Sequence, residues 1–157
     1  MIQVIDKSKC CGCSVCAQVC PRNCINMIED EEGFWYPRID ESNCIHCNIC
    51  DTCCSFGERY TSEFEMKAFA AKSVDDVLRK NSSSGGAFSI IAQKIIEDDG
   101  IVFGAAFHNR FRELRHTMVD NVNMLGQLRG SKYLQSKIFD VYNCAKEYLK
   151  DGKKVLF

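Results

Sequence analysis

Residues 10–21 read CCGCSVCAQVCP, and they decide the fold of the beginning of the chain. The stretch holds four spaced cysteines and a proline in the pattern C-x2-C-x2-C-x3-C-P: Cys10, Cys13, Cys16, Cys20 and Pro21. A tight loop can aim the first three sulfurs at one point. The fourth sulfur, a helical turn further on, is carried away from that point. The pattern therefore predicts cysteines that serve two neighbouring metal sites.

The same pattern returns later in the chain at a constant offset. IDKSKC (5–10) aligns with IDESNC (39–44), and this offset then selects four more cysteines: Cys44, Cys47, Cys50 and Cys54. Within the second run, the even spacing of Cys47, Cys50 and Cys53 favours Cys53 as the last ligand. Under the offset, however, Cys53 falls on Val19, an apolar position of a short helix. The repeat therefore favours Cys54 as the ligand.

This spacing is typical of bacterial ferredoxins, in which three cysteines hold one [4Fe–4S] cluster and the fourth binds the other cluster. We expect one cluster at Cys10, Cys13, Cys16 and Cys54. We expect the other at Cys20, Cys44, Cys47 and Cys50. Three cysteines are left over: Cys11, Cys24 and Cys53. They are either small buried residues near the clusters or a spare ligand or redox-active thiol.

The second run departs from the first at two positions. His46 stands where the first run has Gly12, and Ser55 stands where it has Pro21. We expect hydrogen bonding around the second cluster, and hence its reduction potential, to differ from the first.

Composition narrows the class of protein. The chain has 157 residues, a net charge of -1 and 12 cysteines. The balanced charge argues against a nucleic-acid partner, and no apolar run reaches the roughly 18 residues of a membrane span. The N-terminus lacks a signal-peptide pattern, so we expect a reducing, cytoplasmic location in which disulfides are disfavoured. Zinc is the remaining alternative for paired cysteines.

Secondary structure follows from periodicity and turn signals. INMIE (25–29) and GFWYPRI (33–39) flank the acidic turn DEE and predict a hairpin. Beyond residue 55 the pattern is that of an α/β domain. Its predicted elements are a strand or linker at 66–73, a short helix at 74–81, a helix after NSSSGG (81–86), strands at 101–107 and 114–119, a helix at 137–150, and a strand beginning in KKVLF (153–157).

The helix after NSSSGG has a predicted apolar face made of Phe88, Ile91, Ala92 and Ile95. We expect Ser84 or a neighbour to cap this helix and Gly100 to stop it.

Two stretches in this half have residues suited to anion binding. Ser82–Gly86 precedes a helix, where glycines and backbone N–H groups can cradle a phosphate; the alternative is a linker with a helix cap. Arg129–Tyr133 places two cations and an aromatic ring around a turn; the alternative is a solvated loop. The residues alone leave both choices open.

Three segments of this half resemble the coenzyme F-420 hydrogenase/dehydrogenase beta-subunit family: SSSGGAFSIIAQKIIEDDGIVFGAAF, LRGSKYLQSKI and YNCAKEYLKDGKKVLF. With the cysteine runs, the resemblance covers nearly the whole chain and identifies it as an N-terminal part of such a subunit. It implies an iron–sulfur flavoprotein that passes electrons between clusters, FAD and a redox partner protein or subunit. In methanogens the acceptor is the deazaflavin coenzyme. The resemblance makes seven residues flavin-binding candidates: Ser84, Gly85, Gly86, Arg129, Gly130, Ser131 and Lys132.

The expected architecture is an α+β ferredoxin-like two-cluster module at 1–57, a linker at 58–80 and an incomplete flavin-type α/β domain at 81–157. The expected function is electron transfer within a flavin-dependent oxidoreductase. The alternative is a ferredoxin-like carrier whose second domain only docks a partner. No residue is assigned as a catalytic acid or base.

Overall fold

The computed structural model describes residues 2–4, 6–54 and 67–157. The chain divides into two compact units, Met1–Glu65 and Met66–Phe157. The sequence expectations for Ser55 and for the end of the first domain at residue 57 lie outside the described residues. Where the structure describes the predicted linker 58–80, that segment belongs to the second unit and includes a helix.

In its described residues, the first unit contains one hairpin and three very short helices. Strands β1 (Ile25–Glu29) and β2 (Trp35–Ile39) pair antiparallel, which confirms the predicted hairpin. A 3-10 helix covers Lys7–Lys9, and the two α-helices are α1 (Val15–Gln18) and α2 (Ile49–Thr52). Helices of four residues are unstable in isolation, because the free-energy cost of helix nucleation exceeds what the hydrogen bonds of one turn contribute. Their packing within the unit must hold them.

The core of the first unit consists largely of thiols. Its buried members are Cys16, Cys24, Ile25 and Cys50. Domains this small rarely bury enough apolar surface to be stable without a disulfide or a metal. The cysteines of this unit are all free thiols. We therefore expect its stability to depend on what the thiols bind.

The second unit contains a three-stranded sheet in the order β4-β3-β5. Strand β3 (Ile101–His108) lies antiparallel to β4 (Glu113–Val119) and parallel to β5 (Val155–Leu156). These three strands confirm the sequence prediction. The segment predicted as a strand or linker at 66–73 carries no strand in its described part.

Helices cover both faces of this sheet. The helix α4 (Ala87–Glu97) and a 3-10 helix (Val122–Leu128) pack on one face, where Ala92, Val102, Ala106, Val119, Leu125 and Leu128 form the core. On the other face, α5 (Val141–Lys150) packs over a second core of Ile101, Phe103, Ile138, Val141 and Ala145. Alternate residues of β3 supply the two cores, as strand geometry requires. The short helix α3 (Asp76–Lys80) confirms the prediction for 74–81.

Three details of the predicted helices are wrong. Phe88 and Ile91 are 38% and 51% exposed, whereas Ser89 and Ala92 are buried. Ala92 packs against the sheet, where its small side chain allows close approach, and Ser89 hydrogen-bonds with Arg129 and Ser82. Helix α4 starts after Gly86, a near neighbour of Ser84 with a left-handed backbone (φ 93°), and no side chain caps it, so the expected cap by Ser84 itself is wrong. Helix α5 begins at Val141 instead of residue 137.

The later start of α5 has a structural cause. Lys137 forms a bridge beside β4 at Arg115 before the chain turns into the helix. Leu149, near the end of α5, is exposed. No helix in the described part of the chain is long and apolar enough to cross a membrane.

Candidate metal centres

The two cysteine loops share one backbone conformation. Gly12 and Ser14 have φ angles of 65° each, and their counterparts in the second run, His46 and Asn48, have 53° and 61°. All four therefore lie in the left-handed region. The N–H groups of Gly12 and His46 donate to Sγ of Cys10 and Cys44, respectively, each at 3.5 Å. Hydrogen bonds of this type stabilise the negative charge of a ligating sulfur.

The turn before each loop repeats as well. Asp6 accepts hydrogen bonds from the hydroxyl and N–H of Ser8, and Asp40 accepts the same pair from Ser42. The serine hydroxyl is the leading cause that lowers the pKa of each carboxyl below its ordinary value. These side-chain turns fix the backbone that leads into each run. They explain why the repeat extends upstream of the cysteines.

The first unit has a small cavity at each cysteine run. One cavity, of about 40 Å³, is lined by a set that includes Cys10, Cys13, Cys16 and Cys54. The other, of about 20 Å³, is lined by a set that includes Cys20, Cys44, Cys47 and Cys50. Each cavity therefore gathers three cysteines of one run and the last cysteine of the other run. Cys53 is exposed and is absent from the described lining of both cavities.

The donor chemistry of each cavity fits a thiolate-bound metal group. Five cysteines line each space, four of them from the proposed ligand sets, and soft thiolates favour zinc, copper(I) or iron–sulfur clusters. Each cavity offers about the volume of one water molecule. Within residues 2–4, 6–54 and 67–157, no three histidine, cysteine, aspartate or glutamate side chains converge closely enough to hold a single metal ion.

One thiol of the first cavity, Cys16, has a raised pKa. Burial raises the pKa of Cys16 to about 12. Metal coordination requires the thiolate, so binding at this site has to release a proton from Cys16.

The remaining cysteines of the first unit differ in exposure. Cys24 is only 4% exposed and lines the second cavity, with its Sγ 3.3 Å from Sγ of Cys20. This contact is the leading cause that raises the pKa of Cys24 to about 11. Cys11 and Cys53 are exposed, so the expectation that they are small buried residues is wrong for both.

A separate cleft of about 350 Å³ lies in the second unit. Its lining unites the two loops chosen from the sequence and includes Ser84, Gly85, Gly86, Arg129, Gly130 and Ser131. The first loop leads into α4, an eleven-residue helix whose N-terminal amides carry partial positive charge. The predicted residues are thus close together although about 40 positions separate them in sequence.

Lys132 has a different environment from the other six candidates. Its ammonium donates to the carbonyl oxygens of Leu128 and Arg129, both at 2.8 Å, and more weakly to that of Gln127. These are the carbonyls at the end of the 3-10 helix, which a cation stabilises. Burial lowers the pKa of Lys132. Its side chain therefore braces the loop that carries Arg129 and is not part of the described cleft lining.

The packing of the backbone explains why residue 85, the first glycine of the cleft, has to be a glycine. A Cβ on Gly85 would lie 2.2 Å from the carbonyl oxygen of Ala71, which is a direct clash. The carbonyl of Gly85 in turn accepts a hydrogen bond of 2.7 Å from the N–H of Ser73. Gly85 is therefore required for the close approach of two chain segments, whatever the cleft binds.

Sequence reasoning missed one polar residue at this cleft. Ser89, 2% exposed, accepts a hydrogen bond of 2.9 Å from Nε of Arg129, and its Oγ lies 3.3 Å from that of Ser82. The only sequence signal was its place one turn into the helix after the glycines. The contact itself spans 40 residues.

Comparison with known proteins identifies one matching segment. A family model described as a 4Fe-4S binding domain matches residues 4–26, which include the first cysteine run and Cys24. No curated protein matches the chain. The match supports an iron–sulfur electron-transfer role. The second cysteine run and the cleft of the second unit lie outside the matched segment.

Proposed function

We propose that the chain is an electron-transfer protein that holds two [4Fe–4S] clusters in its first unit. One cluster is bound by Cys10, Cys13, Cys16 and Cys54, and the other by Cys20, Cys44, Cys47 and Cys50. The observation that carries this proposal is the pair of cavities, each gathering one of these sets beside a loop of the same conformation. When bound, the clusters supply one-electron transfer.

The chain's own residues have three tasks at these sites. The cysteines lose their protons and bind. The N–H groups of Gly12 and His46 donate to Sγ of a ligand at 3.5 Å and so offset part of its negative charge. Cys16 and Cys50, which are buried, form the side of each site that excludes water. Burial and hydrogen bonding to sulfur are the factors by which a protein sets a cluster's potential.

The second unit is proposed to bind the phosphate groups of FAD. Its cleft has a volume within the range of small-molecule sites, and the backbone N–H groups at the start of α4 attract anions. Ser89 accepts a hydrogen bond of 2.9 Å from Nε of Arg129 and so positions at the cleft a guanidinium group, which suits a phosphate. Ser84, Gly85, Gly86, Gly130 and Ser131 complete the cleft, and Lys132 supports the loop from behind.

This arrangement favours part of a flavin-dependent oxidoreductase resembling the coenzyme F-420 hydrogenase/dehydrogenase beta subunit. A flavin exchanges single electrons with clusters and electron pairs with a substrate, so it links the two kinds of chemistry. By the same resemblance, the partners are a redox protein or subunit and the deazaflavin coenzyme. A cytoplasmic location fits a chain whose cysteines are all free.

The electron-transfer proposal is tested by EPR on the full chain, reconstituted with iron and sulfide under anaerobic conditions. Reduction with dithionite should produce signals of reduced [4Fe–4S] clusters. A protein that retains zinc and gives no EPR signal would be a structural zinc protein and would overturn the proposal.

The flavin proposal is tested by titrating the same protein with FAD and following the quenching of flavin fluorescence. Loss of a charged hydrogen bond costs about 1.5–3 kcal/mol, so Arg129→Ala should weaken binding by at least about 10-fold. Arg112→Ala, at an exposed position in the turn between β3 and β4, is the control and should bind as the wild type does. A wild-type protein that binds no FAD would favour the plain electron carrier.

A further inference from the structure

One thiol at the second cavity belongs to neither proposed ligand set. Cys24 is 4% exposed and lies in the lining of the cavity with Cys20 and Cys44. Its Sγ is 3.3 Å from Sγ of Cys20, within hydrogen-bonding distance for sulfur. The repeat places no ligand at this position.

The backbone fixes Cys24 in this place. Cys20 begins a turn in which the N–H of Asn23 donates to the carbonyl of Cys20 at 3.1 Å, with Asn23 in the left-handed region at φ 49°. The carbonyl of Cys24 then accepts a hydrogen bond of 2.7 Å from the N–H of Asp40. The chain is thus held on both sides of Cys24. These two hydrogen bonds fix the backbone from which the Cys24 thiol extends into the cavity lining.

We propose that Cys24 is a positioning residue whose thiol donates a hydrogen bond to Sγ of Cys20 and thereby raises the reduction potential of the second cluster. The proposal rests on the two-cluster function stated above. Cys20, as a ligand, is a thiolate and can only accept a hydrogen bond. Cys24 lies outside both ligand sets, and either sulfur could donate in the 3.3 Å contact, so its S–H is the one placed to donate to a ligating Cys20.

The direction in which the reduction potential shifts follows from the negative charge that the cluster gains on reduction. Reduction adds one negative charge to the cluster and its thiolates, and a donor at a ligating sulfur stabilises the reduced state more than the oxidised state. The reduction potential therefore rises. The low local dielectric of a buried site strengthens this hydrogen bond. The first cavity is also lined by a fifth cysteine, Cys11, but that residue is exposed, whereas Cys24 is buried.

The test is a redox titration followed by EPR on the reconstituted full chain, with iron counted in the same samples. Cys24→Ala removes the donor and should move one of the two midpoint potentials to a more negative value. Cys24→Ser restores an O–H donor and should return that midpoint toward the wild-type value. Cys53→Ala, which removes an exposed cysteine of the same unit, should move neither midpoint.

Three results would overturn the account, and they are distinguishable. If Cys24→Ala keeps the wild-type iron content and both midpoints, Cys24 does not tune the cluster. If it loses about half of the iron, Cys24 supports cluster binding and not the potential. If the wild-type protein itself holds no iron–sulfur cluster, the proposed function fails before the role of Cys24 is tested.

Discussion

Gly12 and His46 occupy the same position in the two cysteine runs and share the left-handed backbone conformation, with φ angles of 65° and 53°. Each N–H donates to the cysteine two positions before it, at 3.5 Å in both loops. The loop therefore requires this conformation for its hydrogen bond to sulfur. A glycine adopts it freely, whereas a histidine adopts it at a cost.

His46→Gly should stabilise the second loop. A side chain in the left-handed region costs roughly 1–2 kcal/mol, while glycine adds about 0.5–1 kcal/mol of unfolded-state entropy. The net expectation is a gain of up to about 1.5 kcal/mol in the free energy of unfolding, measured by denaturant titration of the reconstituted protein. Asn48→Gly is the matched control, since asparagine tolerates its φ of 61° better and the gain should be smaller. A less stable His46→Gly protein would contradict this account.

Cys54 and Cys53 are adjacent but should respond differently to replacement by alanine. Cys54 is in the lining of the first cavity, whereas Cys53 is exposed and absent from the described lining of both. Cys54→Ala should therefore lose the cluster held by Cys10, Cys13 and Cys16, and with it about half of the iron. Cys53→Ala should keep the wild-type iron content. A greater iron loss in the Cys53 variant would show that the repeat has been aligned wrongly.

Gly85→Ala should destabilise the second unit. The new Cβ would lie 2.2 Å from the carbonyl oxygen of Ala71, and backbone has to move to relieve the clash. Forced overpacking typically costs about 1–3 kcal/mol, which thermal unfolding of the full chain will detect. Gly126→Ala is the control, because no atom lies within 4 Å of its Cβ position. A fully stable Gly85→Ala protein would mean that the two segments do not meet as described.

Asp98 should make the stability of the second unit change with pH in the acidic range. Its carboxylate accepts hydrogen bonds from Lys154 at 2.6 Å and from Lys94 at 2.8 Å. These contacts, that of Lys154 first, lower the pKa of Asp98 to about 2. Because the folded pKa lies below the unfolded value near 3.9, the stabilisation is present above about pH 4 and is lost as the pH falls toward 2.

Thermal unfolding of Asp98→Asn followed by circular dichroism checks this dependence. The variant should melt below the wild type at pH 7, and the difference should shrink between pH 4 and pH 2. Asp120→Asn, at an exposed position, should melt as the wild type does at each pH. A difference that is constant across this range would exclude the carboxylate's charge as the cause.

The sequence predicts the fold and the candidate site best where the residues concerned are close in sequence or belong to a repeat. The constant offset between the two runs groups the cysteines because the two loops must have the same spacing to adopt the same conformation. The strand and helix positions follow from periodicity. The buried face of α4 cannot be predicted from periodicity. Phe88 and Ile91 are more apolar than Ser89, and yet they lie outside the core. Close approach of the helix to the sheet, a property of the whole unit, selects the small residues.

The cleft of the second unit shows the same limit. Its two loops are recognisable by composition, but the hydrogen bond from Arg129 to Ser89 joins residues 40 positions apart. The distinct role of Lys132 depends on carbonyl groups left at the end of a 3-10 helix that periodicity did not predict. Such contacts depend on tertiary geometry that spacing alone does not encode.

The central claim is that the first unit holds two four-iron clusters. Iron and acid-labile sulfide, counted per full chain after anaerobic reconstitution and removal of unbound metal, test it most directly. The account predicts about eight irons and about eight sulfides. Four of each would show that a single cluster binds, and zinc without sulfide would contradict the account altogether.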